Sequence, residues 1–158
     1  MSNLAPTSSR AAVGKRHFSI VASAFNGQYV QGLVDHATEE LRALSPNAAI
    51  SLHHVPGAFE IPVVVREIAL QKKADAILAL GVILQGKTSH AQNLARSVTD
   101  ALQQIALEHG IPVINAVLTL ETEAQAEERC LGSEINRGTE AARAAVEVAK
   151  VMGDLRAN

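Results

Sequence analysis

The sequence predicts an α/β fold in which helices cover both faces of a parallel sheet. Short apolar segments alternate along the chain with longer segments whose apolar residues recur every three or four positions. The most continuous apolar run, residues 75–84 (DAILALGVIL), is typical of a central parallel strand that is buried on both faces. The connections between these segments are short, so we expect right-handed crossovers to join the strands.

The chain begins with two predicted strands and a helix between them. Residues 17–24 are apolar and partly β-branched, and the turn pair Asn26-Gly27 closes them as a short strand. Residues 28–44 carry apolar side chains on one helical face and charged side chains on the other, which predicts an amphipathic helix. Ser45-Pro46-Asn47 ends this helix, and residues 48–55 form the second strand.

The remaining elements continue the alternation. An apolar stripe from Ile61 to Ile68 predicts a helix after the Pro56-Gly57 break, and the central strand follows this helix. Beyond that strand the same signals predict a helix over 89–109, a strand over 112–118, and helices over 121–131 and 137–152.

Length and composition indicate one globular domain. The chain has 158 residues, of which 47% are hydrophobic, and this suffices for a core of its own. We expect the domain over residues 17–158, after a flexible leader of small and polar residues at 1–16. With 27 alanines and four aromatic residues, the core is expected to consist of small and aliphatic side chains. Cys130 is the only cysteine, which excludes an intrachain disulfide and favours a reducing, cytoplasmic location.

Charge and residue usage argue against nucleic acid, membrane and metal as partners. The 14 basic and 16 acidic residues give a net charge of -2, and few rings are present to stack on bases. No apolar run approaches the roughly 18 residues of a membrane span. The tandem His53-His54 cannot chelate one metal ion because adjacent strand residues point to opposite faces, and no Cys/His spacing resembles a zinc site.

Candidate functional residues follow the predicted strands. In open parallel sheets, ligands bind at the carboxyl ends of the strands. Phe25 and Phe59 stand after the first two strands, and Asn115 and Thr119 are expected at the end of the fourth. The two rings either stack on a flat ligand or plug the top of the sheet.

The segment Gly86-Lys87-Thr88-Ser89-His90 lies where a helix is predicted to begin. Free amides, the helix dipole, Lys87 and the Thr88 hydroxyl would bind an anion there. Alternatively, Ser89 and Gln92 form a capping box that only satisfies helix amides. The Walker pattern GxxxxGK[ST] is absent, so a small phosphorylated metabolite fits better than a nucleotide. His90 is suited to proton transfer near neutral pH, or is a surface histidine without a role.

Six motifs together resemble the lumazine synthase family over about residues 18–152. They occur in the family's order and spacing: Phe25-Asn26, VPGAFEIP (55–62), ALGVILQGKTSH (79–90), IPV-x-x-x-VLT (111–119), EAQAEER (123–129) and NRGTEAA (136–142). The resemblance implies a flavodoxin-like three-layer α/β/α sandwich with a four-stranded parallel sheet. It also implies condensation of 5-amino-6-(D-ribitylamino)uracil with 3,4-dihydroxy-2-butanone 4-phosphate to 6,7-dimethyl-8-ribityllumazine, with release of phosphate and water. This transferase chemistry needs no cofactor.

The resemblance also implies a role for each matching residue. Phe25 would stack on the pyrimidine, and Ala58, Phe59 and Glu60 would hold the ribityl chain. Backbone groups of Val82, Ile83 and Leu84 would meet the pyrimidine edge. Lys87, Thr88 and Arg129 would bind the phosphate, and His90 would transfer protons.

The family builds this site between neighbouring subunits of a pentamer, and some members assemble a 60-subunit shell. Asn115 and Arg129 would come from one chain and the other site residues from the next. Asn115 stands where the family usually has phenylalanine, and it would either weaken substrate binding or reach a polar substrate group. This change and Gln85, where arginine is usual, motivate an alternative function as a non-catalytic flavin- or lumazine-binding or shell-forming homologue. We interpret Cys130 as a buried helix thiol.

Overall fold

A four-stranded parallel sheet organises the chain in the computed structural model, which describes residues 15–86 and 88–158. Its strand order is β2-β1-β3-β4, and the strands are β1 (His17–Ser23), β2 (Ala49–Val55), β3 (Ala76–Leu84) and β4 (Val113–Leu120). The helices are α1 (Gly27–Leu44), α2 (Ile61–Gln71), α3 (His90–His109), α4 (Glu123–Ala126) and α5 (Arg137–Ala157). The predicted α/β sandwich is therefore confirmed. The leader predicted at residues 1–16 lies outside the described residues, apart from its last two positions.

The alternation of side chains along the strands creates a core on each face of the sheet. Phe18 and Ile20 of β1 pack with α1 and α5, whereas Val21 packs on the opposite face with α2 and α3. β3 is buried on both faces, which explains its continuous apolar sequence. Four alanines of α5 pack against α1 and the sheet within the same chain and so serve the core of the subunit: Ala141, Ala142, Ala145 and Ala149.

Two helix boundaries differ from the prediction. α5 continues to Ala157, beyond the expected end at residue 152. The helix predicted over 121–131 begins later, because Thr122 is its N-cap and accepts a hydrogen bond from the Gln125 N–H at 3.2 Å. After α4, residues Glu127–Leu131 form a wider π-helical turn. Within the described ranges, no helix is both long enough and apolar enough to cross a membrane.

Cys130 lies in this π-helical turn and is fully buried, which confirms its interpretation as a buried thiol. Burial raises its pKa from the ordinary 9.0 to about 11. The thiol ionises at a higher pH in the folded protein than in the unfolded chain. Its contribution to stability is therefore fully present below about pH 9 and is lost between pH 9 and pH 11. We expect the loss to reach roughly 2–3 kcal/mol in the free energy of unfolding.

Denaturant unfolding of wild type and Cys130→Ala between pH 8 and pH 11, at one protein concentration, tests this expectation. The stability advantage of wild type over the variant should shrink as the pH rises. Burial and the Glu123 carboxylate also raise the pKa of Tyr29, but that contribution is common to both proteins and cancels in the difference. A difference that stays constant across this range would contradict the prediction.

Candidate active site

The carboxyl ends of β1, β2 and β3 surround a cleft of about 240 Å³. Eight residues predicted for the site line it together: Phe25, Ala58, Phe59, Glu60, Val82, Ile83, Leu84 and His90. For five further lining residues the sequence predicts no role: Ser23, Asn26, Gly57, Ala91 and Leu94. Leu94 could have been found, because it lies four positions after His90 on the same helix face.

The two phenylalanine rings are exposed at the mouth of this cleft. Phe25 is 72% exposed and Phe59 is 66% exposed, although the chain contains few aromatic residues. A ring that plugged the top of the sheet would be buried. The exposure therefore favours the interpretation that both rings are available to a flat ligand or to another subunit.

Asn26 and its neighbour Phe25 together join the three strand ends around the cleft. The Asn26 backbone adopts the left-handed conformation, with φ 57° and ψ 41°, which asparagine tolerates better than most residues. Its side-chain Nδ2 donates a hydrogen bond to the Val82 carbonyl at 2.7 Å. On the other side, the Phe25 N–H donates to the Pro56 carbonyl at 3.1 Å. The loops that carry Phe25, Phe59 and the end of β3 are thus linked by hydrogen bonds.

Glu60 is oriented by the loop that follows β2. A short 3-10 turn spans Ala58–Glu60, and the Glu60 Oε1 accepts a hydrogen bond from the Gly57 N–H at 2.9 Å. The carboxylate is half-buried and lines the cleft. This bond restricts the side chain before any ligand binds, so its acceptor oxygens are pre-oriented for hydroxyl donors.

β3 extends beyond the end of β1 and brings its backbone to the cleft. Its last residue paired with β1 is Leu80, whereas pairing with β4 continues to Leu84. The side chains of Val82 and Ile83 are buried, so these two residues can offer a ligand only their backbone groups. Apolar side chains at these two positions are therefore compatible with a contribution of their backbone groups to the cleft.

The start of α3 supplies His90 and Thr88. Ser89 is the N-cap, but its side chain makes no capping hydrogen bond, so the alternative of a capping box with Gln92 does not form. Instead, the Thr88 hydroxyl accepts from the His90 N–H at 3.3 Å. The His90 ring is exposed and lines the cleft. Lys87, predicted for the phosphate, lies outside the described residues.

Asn115 and Arg129 do not line the cleft of their own chain. Asn115 is the third residue of β4, so its expected place at the carboxyl end of a strand was wrong. Its Nδ2 donates to the Thr99 hydroxyl at 3.2 Å, and its Oδ1 accepts from the Val117 N–H at 3.0 Å. Both ends of the amide are therefore engaged within the chain. Arg129 lies in the π-helical turn and is half-buried.

The side chains of the cleft are suited to binding and proton transfer. They combine two exposed rings, an oriented carboxylate and an imidazole. No group of three or more His, Cys, Asp or Glu residues is placed to hold a metal ion within residues 15–86 and 88–158. The arrangement can orient a flat polar ligand and move protons at one side of it.

Comparison with known proteins agrees with this geometry. The family model described as 6,7-dimethyl-8-ribityllumazine synthase matches residues 15–153. A protein of that name from Halorhodospira halophila is 40% identical over 141 residues, which cover 89% of this chain and 90% of the relative. A protein with the same name from Leptothrix cholodnii is 41% identical over 138 residues, which cover 87% of each chain. Identity of this extent along nearly the whole domain shows that the chain belongs to the 6,7-dimethyl-8-ribityllumazine synthase family.

Proposed function

We propose that this protein condenses 5-amino-6-(D-ribitylamino)uracil with 3,4-dihydroxy-2-butanone 4-phosphate to give 6,7-dimethyl-8-ribityllumazine, inorganic phosphate and two water molecules. This is the penultimate step of riboflavin biosynthesis. The observation that carries the proposal, beside family membership, is the convergence of eight predicted site residues on one cleft. The buried thiol of Cys130 suits a reducing compartment, and we propose a cytoplasmic location.

The exposed rings and the strand end are proposed to bind the ribitylaminouracil. Phe25 stacks on its pyrimidine ring, and Phe59 with Ala58 packs along the ribityl chain. Glu60 accepts hydrogen bonds from the ribityl hydroxyls, because its carboxylate is already oriented by the Gly57 N–H. The backbone at the end of β3, near Val82, meets the polar edge of the pyrimidine.

The phosphate of the second substrate is proposed to lie at the start of α3. There the helix dipole and the Thr88 hydroxyl favour an anion, and Arg129 adds a charge-assisted hydrogen bond. Lys87 joins this group on the basis of the family resemblance. His90 lies two residues after Thr88 and lines the cleft, so the reacting atoms would lie within its reach.

The reaction needs alignment and proton transfer. The amine attacks the ketone, and loss of water gives an imine. Elimination then expels phosphate, and the second amine closes the ring with loss of another water. Orientation of two substrates can contribute up to roughly 7–11 kcal/mol to lowering the barrier, and one general acid or base contributes a factor of roughly 10²–10⁴. His90 is the proposed proton-transfer residue.

Asn115 and Arg129 are proposed to act in the site of an adjacent subunit of a homopentamer. Neither residue lines the cleft of its own chain. Asn115 lies on the outer strand of the sheet, in a groove between β4 and α5 that also includes Arg137. An edge strand and a neighbouring helix are elements through which one subunit can reach another.

Incubation of purified protein with both substrates tests the proposed function. We expect lumazine fluorescence to appear faster than in the spontaneous reaction, with one phosphate released per lumazine formed. Binding of a lumazine without turnover would identify a non-catalytic homologue instead. Sedimentation analysis of the same preparation measures the number of subunits, and a monomer that is fully active would contradict the shared site.

A further inference from the structure

Arg129 lies in a turn whose shape is unusual and needs support. In the π-helical turn Glu127–Leu131, the Gly132 N–H donates to the Glu127 carbonyl at 3.0 Å, five residues earlier. Such turns are rare and frequently occur at functional sites. An α-helical continuation of α4 would rotate Arg129 to another direction. The support of this turn therefore decides where the guanidinium is presented.

Asn136 provides that support with every hydrogen-bonding position of its amide. It is only 4% exposed. Its Nδ2 donates to the Cys130 carbonyl at 3.0 Å and to the Gly132 carbonyl at 2.8 Å. Its Oδ1 accepts from the N–H groups of Gly138 and Thr139, at 2.9 and 3.1 Å, as the N-cap of α5. A single side chain thus closes the turn and starts the last helix.

Helix α1 confines the same turn from the other side. A Cβ atom on Gly32 would lie 2.5 Å from the Cys130 carbonyl oxygen, so the two backbones are in close contact. At the beginning of α4, which precedes the turn, the Glu123 carboxylate accepts a hydrogen bond from the Tyr29 hydroxyl of α1 at 3.0 Å. The turn is therefore held between α1 and Asn136, and it cannot shift toward α1 without a clash.

We propose that Asn136 is a positioning residue for Arg129, holding the π-helical turn in the conformation that presents the guanidinium to the substrate phosphate. This inference rests on the proposed function. The phosphate and the guanidinium must meet in a specific geometry for paired, charge-assisted hydrogen bonds. Without the Nδ2 donors, the carbonyls of Cys130 and Gly132 lose this partner and the turn is free to change its hydrogen-bond pattern.

The variant Asn136→Ser separates the two tasks of the amide. Serine is as good an N-cap as asparagine, so its hydroxyl retains the start of α5, whereas the two donors to Cys130 and Gly132 are removed. We expect the KM for the butanone phosphate to rise about 10-fold, because a misplaced binding group loses most of its orientation. The KM for the ribitylaminouracil should stay within about two-fold, since no residue proposed to bind it changes.

A double-mutant cycle with Arg129→Ala distinguishes positioning from a general structural role. If Asn136 acts through Arg129, Asn136→Ser should have almost no further effect on the KM for the butanone phosphate once the guanidinium is absent. Leu41→Ala, a core truncation in α1, is the control for lost stability and should leave the ratio of the two KM values unchanged. An undiminished effect of Asn136→Ser in the Arg129→Ala background would overturn the proposal.

Binding of inorganic phosphate separates this inference from the proposed function. It is measured by calorimetry on wild type, Asn136→Ser, Arg129→Ala and the double variant. If wild type fails to make lumazine but Asn136→Ser weakens phosphate binding only when Arg129 is present, the function is wrong and the positioning role stands. If wild type makes lumazine and Asn136→Ser binds phosphate as wild type does, the positioning role is wrong. Should Asn136→Ser fail to fold, Asn136→Asp keeps the cap oxygen and enters the same cycle.

Discussion

Replacing His90 with alanine is expected to lower kcat by roughly 10²–10⁴, the usual contribution of one general acid or base. The imidazole lines the cleft and is exposed, so its ring nitrogens are accessible to a bound substrate. Its backbone N–H already donates to the Thr88 hydroxyl, and that bond does not depend on the side chain. The helix start should therefore persist in the variant. Steady-state kinetics with both substrates measure the loss.

Binding of a ribityllumazine analogue, titrated by fluorescence, separates proton transfer from ligand positioning. His90→Ala should bind the analogue within about two-fold of wild type, because a residue that acts only in the transition state contributes little to ground-state binding. His54→Ala, which removes an exposed histidine of β2, is the matched control and should retain wild-type kcat. If analogue binding collapses together with kcat in His90→Ala, the histidine holds the ligand instead.

The sheet and most of the cleft could be predicted because they follow from local patterns. The carboxyl ends of parallel strands meet at one edge, so motifs after separate strands had to converge, and Phe25, Phe59 and His90 did. The fully apolar segment of β3 was recognisable as a central strand because both of its faces are buried. The family identification, made on ordered motifs, was confirmed over residues 15–153.

Other features depend on contacts between distant residues and have no local signal. The bond from Asn26 to the Val82 carbonyl joins residues 56 positions apart, and only the folded sheet brings them together. The sequence predicts ordinary helix at the π-helical turn, because its apolar spacing does not reveal that Asn136 donates to the carbonyls of Cys130 and Gly132. Asn115 is expected from the sequence at the carboxyl end of the fourth strand, whereas the strand register places it near the beginning of β4.

Replacing Arg129 with alanine is expected to raise the KM for the butanone phosphate on the order of 10²-fold, with much less effect on the KM for the ribitylaminouracil. A hydrogen bond to a charged group contributes about 1.5–3 kcal/mol, and the upper part of this range corresponds to that factor at 25 °C. Arg129 does not take part in either of the ion pairs found among the described residues, so its charge is available to a ligand. Initial rates measured with each substrate varied in turn give both constants.

Arg129→Lys shows whether the guanidinium or merely a positive charge is required, and Arg143→Ala is the control for loss of an arginine elsewhere. Arg129→Lys keeps the charge but not the planar fork that pairs with two phosphate oxygens, so its KM should lie between those of wild type and Arg129→Ala. Arg143→Ala removes another arginine, which pairs with Glu40 at 2.6 Å on the surface, and it should leave both constants near wild type. Equal increases in the two KM values of Arg129→Ala would exclude a phosphate role, because a group that contacts only the phosphate cannot affect pyrimidine binding to the same extent.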